Sequence, residues 1–230
     1  YKVNIDKGQP QKLSAKPGSY RATFSKNGKF YLSEFSDSNM PAVITLHDAT
    51  GKELRVLEDN QRATDQVASA KLPKREFITV PAADGITKLN GWIIKPNNFN
   101  ASRKYPVVMI QYSGPNSQQV LDRYSIDWHY ALANEGFVVV SVDGRGTGAR
   151  GEEFRKQTYM NLGVMESDDQ AAAARYLGTL PYVDGNRIGI WGWSYGGYNV
   201  LMSMSRGNGI FKAGVAIAPV TDWRLYDTIY

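Results

Sequence analysis

Four near-continuous apolar runs, at residues 107–110, 137–142, 188–190 and 213–218, most constrain what this chain can fold into. A strand buried on both faces has no polar side to alternate with, so it reads as an unbroken apolar run. Segments of helical pattern lie between the runs, over about 123–134, 167–177 and 195–204. Strands of this kind alternating with helices imply a parallel, doubly wound sheet. Residues 77–80 and 89–94 add two antiparallel edge strands, with Asp84-Gly85 as the turn between them.

The third run leads into Gly192-Trp193-Ser194-Tyr195-Gly196-Gly197-Tyr198. A serine hydroxyl at its ordinary pKa is a poor nucleophile, so a catalytic serine must be exposed and held against a base. The Gly-x-Ser-x-Gly elbow places it on a strained strand-to-helix turn. Glycine is required on either side because a Cβ there would strike the neighbouring strand and helix. The Tyr195 N–H then faces a developing oxyanion. The competing reading is a glycine-rich turn whose serine caps the helix. A strand before, a helix after and a third glycine favour the nucleophile.

In the α/β-hydrolase order the serine is followed by an aspartate and then a histidine. No histidine follows Ser194, and His47 and His129 both lie upstream. Residues 128–132 read as one turn of an amphipathic helix, which makes His129 a half-buried or surface histidine rather than a base. The expectation is a C-terminally truncated catalytic domain that carries a nucleophile without its base.

Composition removes other classes. A hydrophobic content of 42%, with 12% aromatic, excludes a disordered chain. The net charge of +5 comes from scattered Lys and Arg with no basic run of five, so there is no footprint for nucleic acid. Cysteine is absent, which removes disulfide frameworks, thiolate metal sites and cysteine nucleophiles together. No apolar run is long enough to cross a bilayer, and no signal peptide opens the chain.

Residues 1–57 have a different texture: β-rich stretches at 20–24, 30–35 and 42–46, punctuated by Asn27-Gly28 and Thr50-Gly51. A four-stranded antiparallel unit of this size amounts to one propeller blade, which cannot bury its faces alone. We read 1–57 as a last-blade remnant, 58–73 as a polar connector of helical spacing stopped by Pro73, and 74–230 as a partial α/β-hydrolase domain.

Three further patterns have two readings each. Residues 146–151 match Gly-x-Gly-x-x-Gly after a strand, a dinucleotide signature. Against it, Glu152 and Glu153 put carboxylates where a pyrophosphate would sit, so a bent loop is the better reading and no nucleotide is expected. Glu166, Asp168 and Asp169 open an alanine-rich helix, where carboxylates favour the dipole without any catalytic role. Tyr226 and Tyr230, four apart, share one face of a short helix, either lining an apolar pocket or packing in the core.

Taken together, Tyr112-Ser-Gly-Pro115, Asp143-Gly-Arg-Gly-Thr-Gly148, the stretch 191–198 and Ala218-Pro-Val-Thr-Asp-Trp-Arg-Leu-Tyr226 onward to Tyr230 resemble the prolyl oligopeptidase family of serine peptidases, and within it the dipeptidyl peptidase IV-like branch. Residues 54–60 are similar to that family's exit from its β-propeller. The resemblance implies a post-proline exopeptidase that removes N-terminal dipeptides with proline or alanine in second place. Ser194 is then the nucleophile, with the Tyr195 N–H and the Tyr112 hydroxyl as oxyanion donors. Trp193, Val220, Trp223, Tyr226 and Tyr230 would line a small apolar pocket for the proline ring, which is rigid and presents no N–H to satisfy. It also implies peptide substrates, no metal or organic cofactor, a homodimeric parent protein, and a periplasmic, envelope or secreted location. The triad Asp and His would lie beyond Tyr230, and the glutamates that bind the substrate amine would lie upstream of Tyr1. The alternatives are another peptidase or esterase of this family, a non-catalytic homologue serving as a binding module, and a nucleotide-binding protein.

Overall fold

The computed structural model describes residues 1–6, 8–14 and 16–226. The chain forms two compact units, Tyr1–Leu72 with Leu121–Ile126, and Pro73–Val120 with Asp127 onward.

The first unit is an antiparallel meander of β1 (Ser19–Phe24), β2 (Phe30–Asp37), β3 (Met40–Asp48) and β4 (Glu53–Glu58), ordered β1-β2-β3-β4. Its hairpins follow local turn chemistry. Gly28 takes φ 65°, which a side chain resists, and the Asn27 side-chain Oδ1 accepts from the Lys29 N–H at 3.1 Å. In the β3–β4 turn the Asp48 carboxylate accepts from the backbone N–H groups of Thr50 and Lys52, at 2.8 and 3.1 Å. Alternation places Tyr31, Ser33 and Phe35 on one face and Phe30, Leu32 and Glu34 on the other, with Leu32 opposite Thr23 and Leu46. Both faces carry large apolar residues that stay exposed, Phe24 on one and Phe30 and Leu32 on the other. The two faces differ: Tyr31, Ser33 and Thr45 are buried on the first, while Phe30 and Leu32 stay exposed on the second.

Helix α1 (Gln61–Ala70) occupies the polar stretch and buries none of its residues. The Asn60 side chain just ahead of it donates to the Ala42 carbonyl at 2.6 Å. Residues 121–126 correct the sequence reading, which ran a helix from 123. The Ser38 N–H donates to Asp122 at 2.8 Å and the Tyr124 N–H to the Ser36 hydroxyl at 3.4 Å, so this stretch is held by the first sheet rather than by helical bonds. Helix α2 (Trp128–Asn134) starts only where Asp127 caps it, its carboxylate accepting from the His129 N–H at 3.0 Å.

The second unit is a six-stranded sheet ordered β10-β9-β7-β8-β6-β5. Its strands are β5 (Arg75–Pro81), β6 (Lys88–Ile94), β7 (Tyr105–Ile110), β8 (Val138–Asp143), β9 (Val183–Trp193) and β10 (Ala213–Ile217). The pairs β10–β9, β9–β7 and β7–β8 are parallel, while β8–β6 and β6–β5 are antiparallel. Helices α3 (Glu152–Arg155), α4 (Val164–Gly178) and α5 (Tyr195–Arg206) complete the unit.

Every residue of β8 is buried, as its apolar run requires. Val138, Val140 and Val142 pack with Ala171, Ala174 and Leu177 of α4 and Val200 of α5. The alternate residues Val139 and Ser141 turn to the opposite face, where α2 lies against β8 and β6. The result is an α/β-hydrolase-type doubly wound sheet. The chain runs from β7 through α2 to β8 on one side, then returns through α3 and α4 to β9 on the other side of β7. The carboxyl ends of β7 and β9 therefore flank the point where strand order reverses, the crevice where open α/β sheets bind ligands. Tyr112 follows β7 and Ser194 follows β9.

Candidate active site

Ser194 is the single residue between β9 and α5, with φ 56° and ψ −116°. A side chain with Cβ is strained in this region, at a cost of roughly 1–3 kcal/mol, and such strain persists only where the surroundings impose it. They do so here through three glycines. A Cβ on Gly192 would run into the Gly196 carbonyl. One on Gly196 would lie 2.6 Å from the Gln111 carbonyl oxygen and 3.1 Å from the Tyr112 Cα. One on Gly197 would lie 2.8 Å from the Ile217 carbonyl oxygen. Backbone bonds close the turn, Ser194 N–H to Ile217 O at 2.9 Å and Tyr198 N–H to Ser194 O at 3.0 Å. The Ser194 side chain makes no capping hydrogen bond to α5, so this serine is not a helix cap.

The contact that excludes a side chain at Gly196 also seats Tyr112 against the elbow. The Tyr112 and Tyr195 rings lie 6.0 Å apart between centroids. Gly114 lets the Tyr112 ring fold back over its own loop, since a Cβ there would lie 2.5 Å from that ring. The Tyr195 N–H opens helix α5, where backbone N–H groups point out of the helix end. Beneath the elbow, the Gln111 amide donates to the Gly196 carbonyl at 2.8 Å and accepts from the Asn199 amide at 3.0 Å, all of it buried. Sequence reading gave Gln111 and Asn199 no role, and nothing in their spacing marks them.

The aromatic residues assemble unevenly. Trp223 packs on Tyr195 at 5.5 Å, edge-on to Tyr198 at 5.2 Å and edge-on to Tyr226 at 5.6 Å. Val220 sits half-buried in the loop after β10. Trp193, 55% exposed at the end of β9, stands outside this ring cluster. Tyr226 lies in extended backbone beyond a 3-10 turn at Trp223–Leu225, not on the expected helix. That turn is capped by Asp222, which accepts from the Arg224 N–H at 3.0 Å. Tyr230 lies outside the described residues.

The acidic start of α4 divides into three roles. Asp168 meets Arg206 at the surface, at 3.2 Å. Asp169 is fully buried and holds the Arg145 guanidinium with two nitrogens, at 2.7 and 3.0 Å, while Arg145 also reaches Asp84 at 3.0 Å. Glu166, also fully buried, accepts from the Gly163 N–H at 2.9 Å and from the Tyr195 hydroxyl at 2.6 Å. Burial raises its carboxyl pKa, with the Tyr195 hydrogen bond acting against that shift. Only Glu166 lies in the first turn of α4, so the helix-dipole reading fits that residue alone and misses its bond to Tyr195 and the arginine partners of Asp168 and Asp169.

The glycine run after β8 is a bent loop. Gly146 donates to the Phe154 carbonyl and accepts from the Asn116 N–H, at 3.0 and 2.9 Å, and the Gly148 N–H donates to Ser117 at 2.8 Å. Its backbone groups are spent on the neighbouring loop, and the helix that follows is four residues long with Glu152 and Glu153 in its first turn. His129 lies between the rings of Trp92 and Trp128 on α2, and His47 stacks on Tyr31 in the first unit. Among the described residues, no three His, Cys, Asp or Glu side chains cluster as metal ligands, and no helix is long and apolar enough to cross a membrane.

Residues 124–230 match the family model described as the prolyl oligopeptidase family. Dipeptidyl peptidase 4 of Porphyromonas gingivalis, a solved structure, is 56% identical and superposes with a TM-score of 0.93 over 98% of this chain and 32% of that one. Over residues 124–230 the chain is of the prolyl oligopeptidase type. Curated relatives include "Probable dipeptidyl-aminopeptidase B" of Pyrenophora teres f. teres, 43% identical over 93% of this chain and 24% of the relative. Another is prolyl endopeptidase FAP of Bos taurus, 39% identical over 92% of this chain and 28% of the relative. The chain thus spans about a quarter of the length of the curated relatives it matches. The segment matched by the prolyl oligopeptidase family model contains the elbow, Glu166 and Trp223, whereas Tyr112 reaches the elbow from a strand that precedes it.

Proposed function

We propose that this chain carries the nucleophile of a serine exopeptidase that releases N-terminal dipeptides with proline or alanine in second position. The observation that carries the reading is the backbone of Ser194, strained between glycines whose side chains would collide with the sheet and helix. In the proposed reaction the Ser194 oxygen attacks the carbonyl after the second residue. The tetrahedral oxyanion is held by the Tyr195 N–H and the Tyr112 hydroxyl. Collapse expels the amine of the shortened peptide, and water then hydrolyses the acyl-enzyme. The rings of Trp223 and Tyr226 beside Tyr195 support an apolar pocket able to take a proline ring, with Trp193, Val220 and Tyr230 as its further proposed lining.

The scheme takes its general base and orienting carboxylate from outside residues 1–230, which span about a quarter of the relatives' length. The groups that grip the substrate's free amine would lie outside this chain as well. No metal or organic cofactor enters this scheme. Dimerisation of the whole protein and a periplasmic, envelope or secreted location belong to the same proposal, supported by the family resemblance.

The test is hydrolysis of a Gly-Pro chromogenic substrate by the full-length protein beside its Ser194→Ala variant. Turnover lost in the variant is the expected result. A folded full-length protein that cleaves an N-acetylated peptide but not a free-amine Gly-Pro substrate would sink the exopeptidase reading and leave a different peptidase of the family.

A further inference from the structure

We propose that Glu166 is a positioning residue for this reaction. Its hydrogen bond to the Tyr195 hydroxyl fixes, through one ring, both the oxyanion N–H and the aromatic cluster beside it. The proposal rests on the reading of Ser194 as nucleophile.

Glu166 is the third residue of α4, and its bond to the Gly163 N–H is the N3 half of a helix cap, which Gly163, having no side chain, cannot return. A cap needs one carboxylate oxygen and works equally well at a surface. Here the residue is fully buried, and its other oxygen is committed to a hydroxyl on the next helix, 29 positions along the chain. Burying a carboxylate costs several kcal/mol unless its oxygens are hydrogen-bonded, so capping alone gives no reason to bury it. What the burial adds is the grip on Tyr195.

Tyr195 is the residue after Ser194 and is itself 2% exposed. Its ring is the hub of the site, 6.0 Å from Tyr112, 5.6 Å from Tyr198 and 5.5 Å from Trp223. Tyr112 belongs to the proposed oxyanion site and Trp223 to the proposed pocket, so one ring spaces the two. A ring tethered only by packing can slide or tilt, and the backbone N–H at its root turns with it. The hydroxyl-to-carboxylate bond fixes the far end of the ring to α4, a fifteen-residue helix packed on the sheet. Displacement of about 1 Å at a reacting centre costs on the order of a hundredfold in rate.

The experiment compares Glu166→Ala, Glu166→Gln, Tyr195→Phe and Ser194→Ala in the full-length protein. Rates are taken per active site counted by fluorophosphonate labelling, so that loss of folded enzyme is divided out. A peptidyl boronate, whose tetrahedral adduct mimics the oxyanion, serves as a second readout. Glu166→Ala and Tyr195→Phe are expected to lower kcat about ten- to hundredfold with KM within about threefold, and boronate affinity to fall in parallel. Glu166→Gln should recover most of that loss, because its amide oxygen can face Gly163 while its NH2 donates to the tyrosine oxygen. Should Glu166→Ala not fold, Tyr195→Phe reads the same bond with the ring retained. Unchanged kcat and boronate affinity in the folded variants, beside an inert Ser194→Ala, would overturn the positioning role alone. Turnover surviving Ser194→Ala would instead take down the nucleophile reading, and the proposal with it.

Discussion

Gly28 in the four-stranded sheet and the elbow glycines in the six-stranded sheet are required for opposite reasons. In the four-stranded sheet, Gly28 sits in a hairpin with open space around it, and only its φ of 65° asks for glycine. In the six-stranded sheet, Gly192 and Gly196 need glycine because backbone atoms occupy the place of a side chain. The first requirement is local and belongs to a turn between neighbouring strands. At Gly192 the crowding comes from Gly196 within the elbow itself, whereas at Gly196 it comes from Gln111 and Tyr112, far away in sequence, and exists only once β7 and α5 have been brought together. Gly28 thus answers to turn geometry and the elbow glycines to packing, and the strained Ser194 lies among the latter.

The largest departure should come from breaking the buried charge that ties α4 to the loop after β8. Asp169→Ala leaves the Arg145 guanidinium buried with Asp84 as its remaining carboxylate partner. Removing one partner of a buried pair costs about 3–5 kcal/mol. Chemical denaturation and hydrogen exchange should show that loss in the second unit, with the four-stranded sheet protected as before. Equal loss of protection in both units would mean that they unfold together and that the contrast between them has no energetic content.

Glycine substitutions test the contrast directly. Gly192→Ala should cost about 3 kcal/mol, because the clash is with the backbone carbonyl of Gly196 and no rotamer relieves it. Gly28→Ala should cost about 1 kcal/mol, the penalty of a left-handed backbone alone. Comparable costs at the two positions would erase the distinction. Ser194→Gly should go the other way, raising the melting temperature by relieving the φ 56°, ψ −116° strain, by about 1 kcal/mol, while abolishing any serine chemistry. A Ser194→Gly variant no more stable than its parent would show that the elbow stores no strain.

The same contrast explains what could be read from the sequence. The hairpins at Asn27-Gly28 and Thr50-Gly51 and the apolar runs of β7 to β10 were legible because each reports a local rule, turn geometry or burial on both faces. The elbow was legible because its glycines and serine form a contiguous string. The Glu166–Tyr195 bond was not, since a glutamate in the first turn of a helix has an adequate local explanation and its partner lies in another helix. The segment 121–126 failed for a related reason. Its pattern continues into α2, but Asp122 and Tyr124 are claimed by Ser38 and Ser36, about 85 residues earlier. Tyr226 was placed on a helix by a spacing of four, whereas Asp222 capping Arg224 winds only a short 3-10 turn before it.

The smallest expected effect separates two turn aspartates that look alike in sequence. Asp48 in the first sheet and Asp84 in the second each accept from a threonine hydroxyl two or three residues on, and each has its pKa lowered chiefly by that bond. Asp84 also accepts from the backbone N–H groups of Thr87 and Ile86 and has the Arg145 guanidinium at 3.0 Å as a smaller influence, and its value drops to about 2. A carboxylate whose folded pKa lies below its unfolded one stabilises the fold above the unfolded value, near 3.8, and loses that contribution as pH falls toward the folded one. Melting temperature followed from pH 5 to pH 2 should therefore decline less steeply in Asp84→Asn than in the parent, with the two curves converging toward pH 2. Asp48→Asn should shift the slope in the same direction but by less, because its lowering is the smaller of the two and its neighbouring cation is Lys52 rather than an ion-paired arginine. If Asp48→Asn flattened the acid limb as much as Asp84→Asn, the turn hydrogen bonds alone would set the acid response and Arg145 would add nothing to it. A larger effect at Asp84 that shrinks when Arg145→Met is added would assign part of the acid response to Arg145, and one that persists in that background would assign it to the Thr87 and Ile86 hydrogen bonds.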